Sequence, residues 1–370
     1  MDSLLKKLLD PQVFSAFVSE NMKTSTYKAN WKGEMDVEYE PSKAYKAIIA
    51  EYAAAVAGSI IDKNAEKPTH SMPTAAELTG SIARMADEWQ MDNDKLDQFL
   101  YLENRYRSTF GTNGLIQGNV QSVEQYIKLV KFLFGAFESA VIAPHKRIDL
   151  LYYEGLFKGS MTLSATNNSK SGLAFSFSTG ATQFKCLSTG AVWGATGATP
   201  LADLQACISS AESNGKAVQK IRMSRNTYAN MCKVGEFTSV FKLNLGLGKV
   251  SPSGVIPVEI VNQYLESISL PMIVIESPKL VLLPSGSSTN AIPDNRVVLQ
   301  CADKVAVLKV ADSTEMADPL PNKTYATFDD NLVGQWRDSK GRFVDYEMWA
   351  MPVFTGKNDY FILKTDEVNS

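Results

Sequence analysis

The sequence has 370 residues, 45% of them hydrophobic and 21% charged, which is typical of a soluble globular protein with room for two or three domains. Its 37 basic and 40 acidic side chains leave a net charge of −3, too little positive field to hold a phosphate backbone, which argues against a dedicated nucleic-acid-binding protein. The two histidines, His70 and His145, are too few for most histidine-based metal sites or catalytic triads.

The cysteines and the apolar segments bear on the compartment. No two of the four cysteines form a CxxC pair, so we expect free thiols in a reducing cytosol and neither a zinc knuckle nor a disulfide scaffold. The first 18 residues lack the apolar region of a signal peptide. No window reaches the roughly 18 apolar residues of a membrane span. We therefore expect a soluble, unexported protein.

The first part of the chain contains few clear elements. A short amphipathic helix precedes Pro11, and residues 19–45 are polar with isolated aromatics, as in an arm that lies on another surface. Residues 46–62 fit a helix by alanine content and a strand by their β-branched residues, so their assignment stays open. Residues 63–81 have two prolines and no apolar periodicity, which predicts a long exposed excursion.

The next segment is ambiguous up to a clear helix start. Residues 82–91 fit both a helical stripe and the alternation of a strand. Asp92, Asn93 and Asp94 are typical N-cap residues, so we predict a helix that begins near residue 93. The same three residues resemble the start of a calcium loop, but Asp97 replaces the glycine that such a loop requires.

The strongest pattern predicts one long helix over 122–157. Ser122 and Gln125 form a capping box. Apolar residues then recur at intervals of three and four, at Val123, Ile127, Val130, Phe134, Phe137 and Val141. We expect Pro144 to kink this helix without ending it, because the stripe resumes beyond it. A helix of about 35 residues is roughly 50 Å long and forms a spine.

The remainder of the chain predicts a mixed arrangement of helices and strands. Residues 161–165 and 173–178 predict a hairpin with Phe175 and Phe177 on one face, and the Gly/Thr/Ser-rich segment 187–198 suggests a domain boundary. One later helix is predicted from its cap Thr199 to a stop at Gly215, a second at 225–233 with Ser224 as its cap, and a third at 257–268. Strands are predicted at 217–223, 272–276, 279–284, 296–301 and 304–310. The sequence ends with two strands, 342–351 and 359–364, predicted to form an antiparallel pair around the turn TGKN.

Motifs of known chemistry are missing from the sequence. It contains no GxxxxGK[ST] loop, no GxGxxG fingerprint and no GxSxG elbow. No carboxylate or nucleophilic residue lies at a spacing from His145 that is typical of a catalytic site. We interpret His145 as a surface histidine whose hydrogen bonds are satisfied. We predict no catalytic residue, no cofactor and no metal site, and therefore a protein that is not an enzyme.

Tryptophan and the other aromatic residues offer the remaining functional signal. Trp31 and Trp89 occur singly in polar segments. Ordinary core anchoring is one interpretation, and contact with another subunit is the other, because Trp is enriched in interface hot spots.

The order of these elements resembles the major capsid proteins of tailed bacteriophages, the Hong Kong 97 type fold, and particularly the lambda major capsid protein E-like family. The likeness covers roughly residues 40–365. The stretches that carry it are AGSIIDKNAEKP, LTGSIARMADEWQMDNDKLDQFLYL, VEQYIKLVKFLFGAFESAVIAPHKRIDLLYYEGLFKGSMTLSA, TPLADLQACISSAESNGKAVQKIRMSRNTYANMCK, KLVLLPSG and EMWAMPVFTGKNDYFILKTDEV. It favours strands at 52–62 and 82–91.

The resemblance implies an α+β fold and a division of the chain into five parts. These are an N-terminal arm (1–45), an extended E-loop (46–92), a peripheral domain (93–190) with the spine helix 122–157, an axial domain (191–325) and a return to the peripheral domain (326–370).

The resemblance also implies a function. The chain is expected to be a major head protein that self-assembles as hexamers and pentamers into an icosahedral shell around double-stranded DNA, without sequence-specific binding. Scaffolding, portal and decoration proteins are its possible partners, the virion is its location, and the host cytoplasm is the place of assembly. The expected subunit-interface residues are Trp31, Tyr39, Ile60, Trp89 and Met91. No Lys–Asn cross-link is predicted. Alternatives are an encapsulin-like nanocompartment shell and a cytosolic hydrolase.

Overall fold

The computed structural model describes residues 10–24, 27–50, 75–110, 120–164, 167–168, 175–187, 191–244, 255–283, 286–356 and 359–369. Its helices are α1 (Pro11–Thr24), a 3-10 turn (Asn30–Gly33), α2 (Asn93–Phe110), α3 (Val120–Lys158), α4 (Pro200–Ser213), α5 (Arg225–Cys232), α6 (Gly235–Asn244), α7 (Val258–Ser267) and α8 (Thr314–Ala317).

Seventeen strands are described. They are β1 (Met35–Tyr39), β2 (Ala44–Ala50), β3 (Ala75–Ser81), β4 (Arg84–Asp92), β5 (Ser160–Leu163), β6 (Phe175–Ser178), β7 (Thr182–Cys186), β8 (Lys220–Ser224), β9 (Met272–Glu276), β10 (Leu280–Leu282), β11 (Ser288–Asn290), β12 (Arg296–Gln300), β13 (Ala306–Ala311), β14 (Thr324–Phe328), β15 (Asn331–Asp338), β16 (Gly341–Phe354) and β17 (Tyr360–Val368).

The first core lies between the long helix α3 and a six-stranded sheet. The sheet has the order β1-β13-β16-β15-β14, and β4 also pairs with β16. The core-facing side of α3 contributes Phe137, Val141, Ile148, Leu151 and Phe157. The first four, at spacings of four, seven and three, lie on one helix face, and burial of this face against the sheet stabilises the long helix.

The predicted spine helix is confirmed. Helix α3 has 39 residues and contains Pro144 without interruption, which corresponds to about 58 Å at 1.5 Å per residue. The side chains of Val130 and Phe134, predicted members of its stripe, lie outside the described residues.

A second core lies between helices α4, α5, α6 and α7 and a five-stranded sheet of order β7-β17-β12-β8-β9. Strand β8 is parallel to β9 and antiparallel to β12, and β17 is parallel to β7. The sheet is therefore mixed, and its two edge strands are β7 and β9.

Several predicted elements are confirmed. Most of the predicted strand 82–91 lies in β4 (Arg84–Asp92), helix α2 begins at Asn93, and the hairpin of β5 and β6 has the expected antiparallel register. Asp92 caps α2, because its Oδ1 accepts a hydrogen bond of 2.9 Å from the amide of Lys95. Ser224 caps α5 by accepting one of 3.2 Å from the amide of Thr227.

The excursion predicted at 63–81 is partly wrong. Residues 75–81 form β3, which pairs in antiparallel register with β2, from Ala44 opposite Ser81 to Ala50 opposite Ala75. Main-chain hydrogen bonds give this segment an ordered partner although its side chains have no apolar periodicity. The remaining residues, 63–74, and the predicted strand at 52–62 lie outside the described residues.

The predicted antiparallel pairing of the last two strands is wrong. Strand β16 lies in the first sheet, whereas β17 lies in the second, between β7 and β12. The short connection between them therefore passes from one sheet to the other. Strand β16 is almost wholly buried, and so are the first four residues of β17, so each sheet receives a central strand with a buried apolar run from this part of the chain.

The predicted cap of α4 is also wrong in its chemistry. Thr199 occupies the N-cap position but its side chain makes no capping hydrogen bond. Glu236 of α6 replaces it, since its Oε2 accepts a hydrogen bond of 2.9 Å from the amide of Leu201. A carboxylate from another helix thus accepts a hydrogen bond from a main-chain amide that has no partner within α4, at the positive end of that helix.

Candidate functional site

Residues 27–40, here called the arm segment, include the predicted interface residues Trp31 and Tyr39 and lie against both cores. Among the described strands, strand β1 of this segment pairs with β13 alone, in parallel, at the edge of the first sheet. Tyr39, at the end of β1, is 58% exposed, and Val37 on the same strand face is also exposed. β1 therefore presents an apolar and aromatic edge to the outside of the subunit.

Trp31 lies inside the subunit. Its side chain is 3% exposed and its ring stacks on His145 of α3, with the ring centroids 5.8 Å apart and the planes at 20°. The position of Trp31 agrees with the interpretation as a core anchor. The stacked rings hold the first part of the segment against the spine helix.

The interpretation of His145 as a satisfied surface residue is wrong. The side chain is buried, and neither ring nitrogen has a hydrogen-bond partner among the described residues. Burial lowers the pKa of His145 to about 4, an effect that the nearby Lys32 strengthens and Asp329 opposes. A neutral imidazole is therefore part of the packing between the arm segment and the spine.

One turn further along α3, Asp149 binds the same segment through four hydrogen bonds. Its Oδ1 accepts from the amide of Trp31 at 2.8 Å, and its Oδ2 accepts from the Asn30 amide at 3.4 Å, from Asn30 Nδ2 at 3.0 Å and from the Tyr27 hydroxyl at 3.2 Å. Burial raises the pKa of Asp149 despite these donors. Together Asp149 and His145 attach residues 27–31 to α3.

Glu34 extends the attachment to the second sheet. Arg222 on β8 donates to it from Nη2 at 2.7 Å and from Nη1 at 2.8 Å, and also donates from Nε to Glu276 at 2.6 Å. The Tyr152 hydroxyl of α3 donates to Glu34 at 3.1 Å. Although burial alone would raise it, the contact with Arg222 lowers the pKa of Glu34. This carboxylate thus joins the arm segment, the spine helix and the second sheet.

Strand β4 carries two more of the predicted interface residues. Trp89 and Met91 are half-buried and lie two positions apart, on one face of the strand. The Trp89 ring lies 5.9 Å from that of Tyr346 on the neighbouring strand β16. The structure thus brings Trp89 and Met91 together on a partly covered face. Ile60 lies outside the described residues.

Strands β2 and β3 form a separate two-stranded ribbon. Within the described ranges they pair only with each other. The amide of Ile82 donates to the carbonyl of Lys43 at 2.8 Å at the base of the ribbon. Isolated two-stranded ribbons are marginally stable in water, so this ribbon is a candidate for contact with another chain.

The described residues show no constellation for catalysis or metal binding. They contain no group of three or more His, Cys, Asp or Glu residues placed to hold a metal ion. The four cysteines are free, and burial raises the pKa of Cys186 and Cys207 to about 12 and that of Cys301 to about 11. Thiols of this kind are poor nucleophiles at neutral pH.

Among the helices described, none has the length and apolar character needed to cross a membrane.

Sequence reasoning missed the residues that bind the arm segment. The signal for Asp149 was a single carboxylate within the apolar stripe of the spine, and the signal for Arg222 was a single charge in the apolar strand KIRMS. A charge at a position that the pattern buries needs a partner. The sequence does not reveal which one.

Comparison with known proteins gives structural matches alone. No protein-family model matches the sequence, and no curated protein matches it.

The chain is similar to a protein assigned as the capsid protein of a prophage of Escherichia coli CFT073, with a TM-score of 0.55 and 10% identity over 95% of this chain and 97% of the other. It also matches a phage-related protein of Bordetella bronchiseptica RB50 (TM-score 0.45, 13% identity, 96% and 97% of the chains) and the mature capsid of bacteriophage PhiM1 (0.47, 9%, 94% and 89%). Only the first of these three scores exceeds 0.5, and the fold assignment is based on it. The predicted fold is confirmed: the chain has the fold of the tailed-phage capsid proteins.

Proposed function

We propose that this chain is the major capsid protein of a tailed double-stranded DNA bacteriophage, which assembles as hexamers and pentamers into an icosahedral shell around the genome. The observation that carries the proposal is the match in fold to a prophage capsid protein over nearly the whole of both chains. The match covers 95% of this chain, so the capsid fold accounts for nearly all of it. The near-neutral charge agrees with a shell that encloses DNA without binding its sequence.

The described surfaces support an assembly role. A closed shell requires contacts between different patches of neighbouring subunits, arranged around local symmetry axes. The β2–β3 ribbon, the exposed edge of β1 with Tyr39, and the half-buried Trp89 and Met91 are proposed to provide such contacts, whereas Trp31 supports the arm segment from within. Scaffolding, portal and decoration proteins would be further partners of the shell during its assembly in the host cytoplasm.

The five-part division of the chain stays a proposal. The two cores support a peripheral domain built on α3 and the first sheet, and an axial domain built on α4 to α7 and the second sheet. The sheets cross the proposed bounds, since β13 of the first sheet lies within 191–325 and β17 of the second lies within 326–370. In this division the axial domain would surround the capsomer axis, and the arm and the E-loop would reach neighbouring subunits.

Size-exclusion chromatography followed by negative-stain electron microscopy tests the function. The purified chain is expected to elute as large assemblies that appear as closed shells. Shells that copurify with a cargo protein and without DNA after expression in a phage-infected host would favour a nanocompartment. A monomer at every concentration tested would overturn the proposal and leave the hydrolase alternative.

A shortened ribbon tests how the shell is held. Lys46 pairs with Thr79, so residues 47–78 can be replaced by Asn-Gly, a pair that favours a tight hairpin turn. This variant is expected to keep the thermal midpoint of the intact subunit and to form no stable shells. Normal shells from the variant would show that the ribbon is not needed for assembly.

A further inference from the structure

A lysine, an aspartate and a glutamate lie together on one face of the first sheet. Tyr325 on β14, Gly334 on β15 and Asp345 on β16 lie in one row across the sheet. Lys323, just before β14, reaches into this row. Its Nζ lies 2.5 Å from Asp345 Oδ2 and 2.5 Å from Glu315 Oε2 of α8.

The lysine is enclosed by the ends of the carboxylates and by aromatic rings. The side chain of Lys323 is 7% exposed. Its Nζ lies 5.0 Å from the centre of the Trp336 ring and 5.2 Å from that of Tyr325. Trp336 in turn stacks on Phe343, with the ring centroids 5.2 Å apart and the planes at 11°. These rings keep water away from the amine and its partners.

Gly334 makes the approach possible. A Cβ at this position would lie 2.1 Å from Lys323 Cε, 3.0 Å from Lys323 Nζ and 2.6 Å from Asp345 Oδ1. The amine and the carboxyl group of Asp345 therefore share the space above a backbone that has no side chain. Asp345 Oδ1 is buried and accepts no hydrogen bond from another described residue, so only Oδ2 is engaged by the lysine.

We propose that Lys323 and Asp345 form an intramolecular amide bond, with Glu315 as the group that transfers the proton. The proton of the ion pair first passes from Nζ to the Asp345 carboxylate, which gives a neutral amine and a carboxylic acid. Nζ then attacks Cγ and forms the new C–N bond. Glu315 takes a proton from Nζ and delivers it to the departing oxygen, the C–O bond breaks, and one water molecule leaves. Glu315 ends as the carboxylate it was, and no other reactant is needed.

The arrangement favours this step in two ways. Two groups held in contact react as if at a very high local concentration, because their orientation has already been fixed by folding. Burial also raises the pKa of Asp345, which favours the protonated carboxyl group that loses water. Burial alone would lower the pKa of Lys323, but its hydrogen bonds to Asp345 and Glu315 raise it, so the ion pair is the resting state and the bond forms slowly.

The roles of the two carboxyl groups follow from their surroundings. Glu315 Oε2 also accepts a hydrogen bond of 3.0 Å from the Tyr325 hydroxyl and lies on the exposed four-residue helix α8. Asp345 lies on the central strand β16, which neighbours on both sides hold in place. The fixed carboxyl group is the electrophile and the outer one is the proton carrier. The bond would fasten the segment between β13 and β14 to this face of the sheet.

Intact mass measurement of the denatured full chain tests the proposal and does not depend on shell assembly. Protein aged under native conditions until its mass is constant is expected to be lighter by one water molecule than its sequence requires. Peptide mapping should yield a branched peptide that joins the segments of Lys323 and Asp345. An unchanged mass, or an intact linear peptide for each residue, would overturn the proposal.

Three variants separate this reaction from other losses of water. Lys323→Arg keeps the positive charge and cannot form the amide, so it is expected to have the full mass. Glu315→Gln should form the bond far more slowly. Asp345→Asn would release ammonia in place of water and reach the same final mass as the wild type. A water loss that persists in Lys323→Arg would place the modification elsewhere and overturn the assignment.

Discussion

Arg222 and Glu34 form a bidentate ion pair, with Nη2 and Nη1 of the arginine 2.7 and 2.8 Å from Oε1 and Oε2 of the glutamate. The arginine lies on a strand of the second sheet, whereas the glutamate belongs to the segment attached to the spine helix. The side chain of Arg222 is 3% exposed. A single contact therefore connects the N-terminal segment, the first core and the second core.

Removal of Arg222 should be strongly destabilising. In Arg222→Met the half-buried carboxylates Glu34 and Glu276 lose their buried counter-charge. This should cost about 3 kcal/mol of the free energy of unfolding, the lower end of what breaking a buried pair costs, because both carboxylates keep some contact with solvent. The matched control is Asp36→Asn, which removes an exposed ion pair with Lys304 and should cost less than about 1 kcal/mol. Urea unfolding of both variants checks this, and equal losses would contradict the central role of Arg222.

The stability of the subunit should fall as the solution becomes mildly acidic because of His145. Its pKa is about 4 in the folded chain, mainly through burial, against an ordinary value of 6.5. Between these values the unfolded chain binds the proton and the folded chain does not, so the free energy of unfolding decreases as pH falls. The limiting slope is about 1.4 kcal/mol per pH unit, for a total of about 3 kcal/mol.

His145→Phe isolates this contribution. The variant keeps an aromatic ring against Trp31 and has nothing to titrate, whereas Asp149, Asp329 and Lys32 around the site stay as they are. Unfolding free energies of both proteins, measured between pH 7 and about pH 4.5, should diverge in slope and then differ most at the acidic end. Parallel curves would show that folding does not change the pKa of His145, which would contradict the prediction.

The sequence predicted those elements whose burial leaves a regular apolar period. The spine helix could be located because Phe137 and Val141 recur on one face, and α5 because Ser224 is an N-cap residue that follows an apolar strand. Strand β15 was missed because Gly334 and Gln335 interrupt its pattern. Helix α6 was also missed, and with it Glu236, whose carboxylate accepts a hydrogen bond from the amide of Leu201 in α4.

The pairing of strands could not be predicted from the same periodicity. Strands β16 and β17 are close in sequence and both contain apolar runs, which suits a hairpin as well as two central strands in different sheets. Their separation depends on the partners that other parts of the chain supply. The contacts that attach the arm segment are equally hard to predict, because Trp31 and Glu34 lie more than 100 residues from their partners Asp149 and Arg222.

Two glycines of the spine helix should respond in opposite ways to substitution by alanine. At Gly155 a Cβ would lie 2.4 Å from Phe354 Cε2, whereas at Gly135 nothing lies within 4 Å. Phe354 is a rigid, buried ring of the first sheet, so Gly155→Ala should cost about 1–3 kcal/mol through overpacking. Gly135→Ala should stabilise the helix by about 0.5–1 kcal/mol. Thermal midpoints that shift in the same direction would contradict the close approach of α3 to β16.

The attachment of α1 to the spine should depend on Phe14. Its ring lies 5.4 Å from that of Phe137, and both side chains are almost fully buried. Phe14→Ala removes this contact and leaves a cavity between the two helices, at a cost of about 3–5 kcal/mol if α1 unfolds together with the core. The neighbouring Val13 is exposed, so Val13→Ala should change stability by less than about 0.5 kcal/mol. Hydrogen exchange distinguishes local from global loss: amides of α1 that exchange rapidly in Phe14→Ala, with α3 still protected, would show that α1 opens by itself while the subunit stays folded.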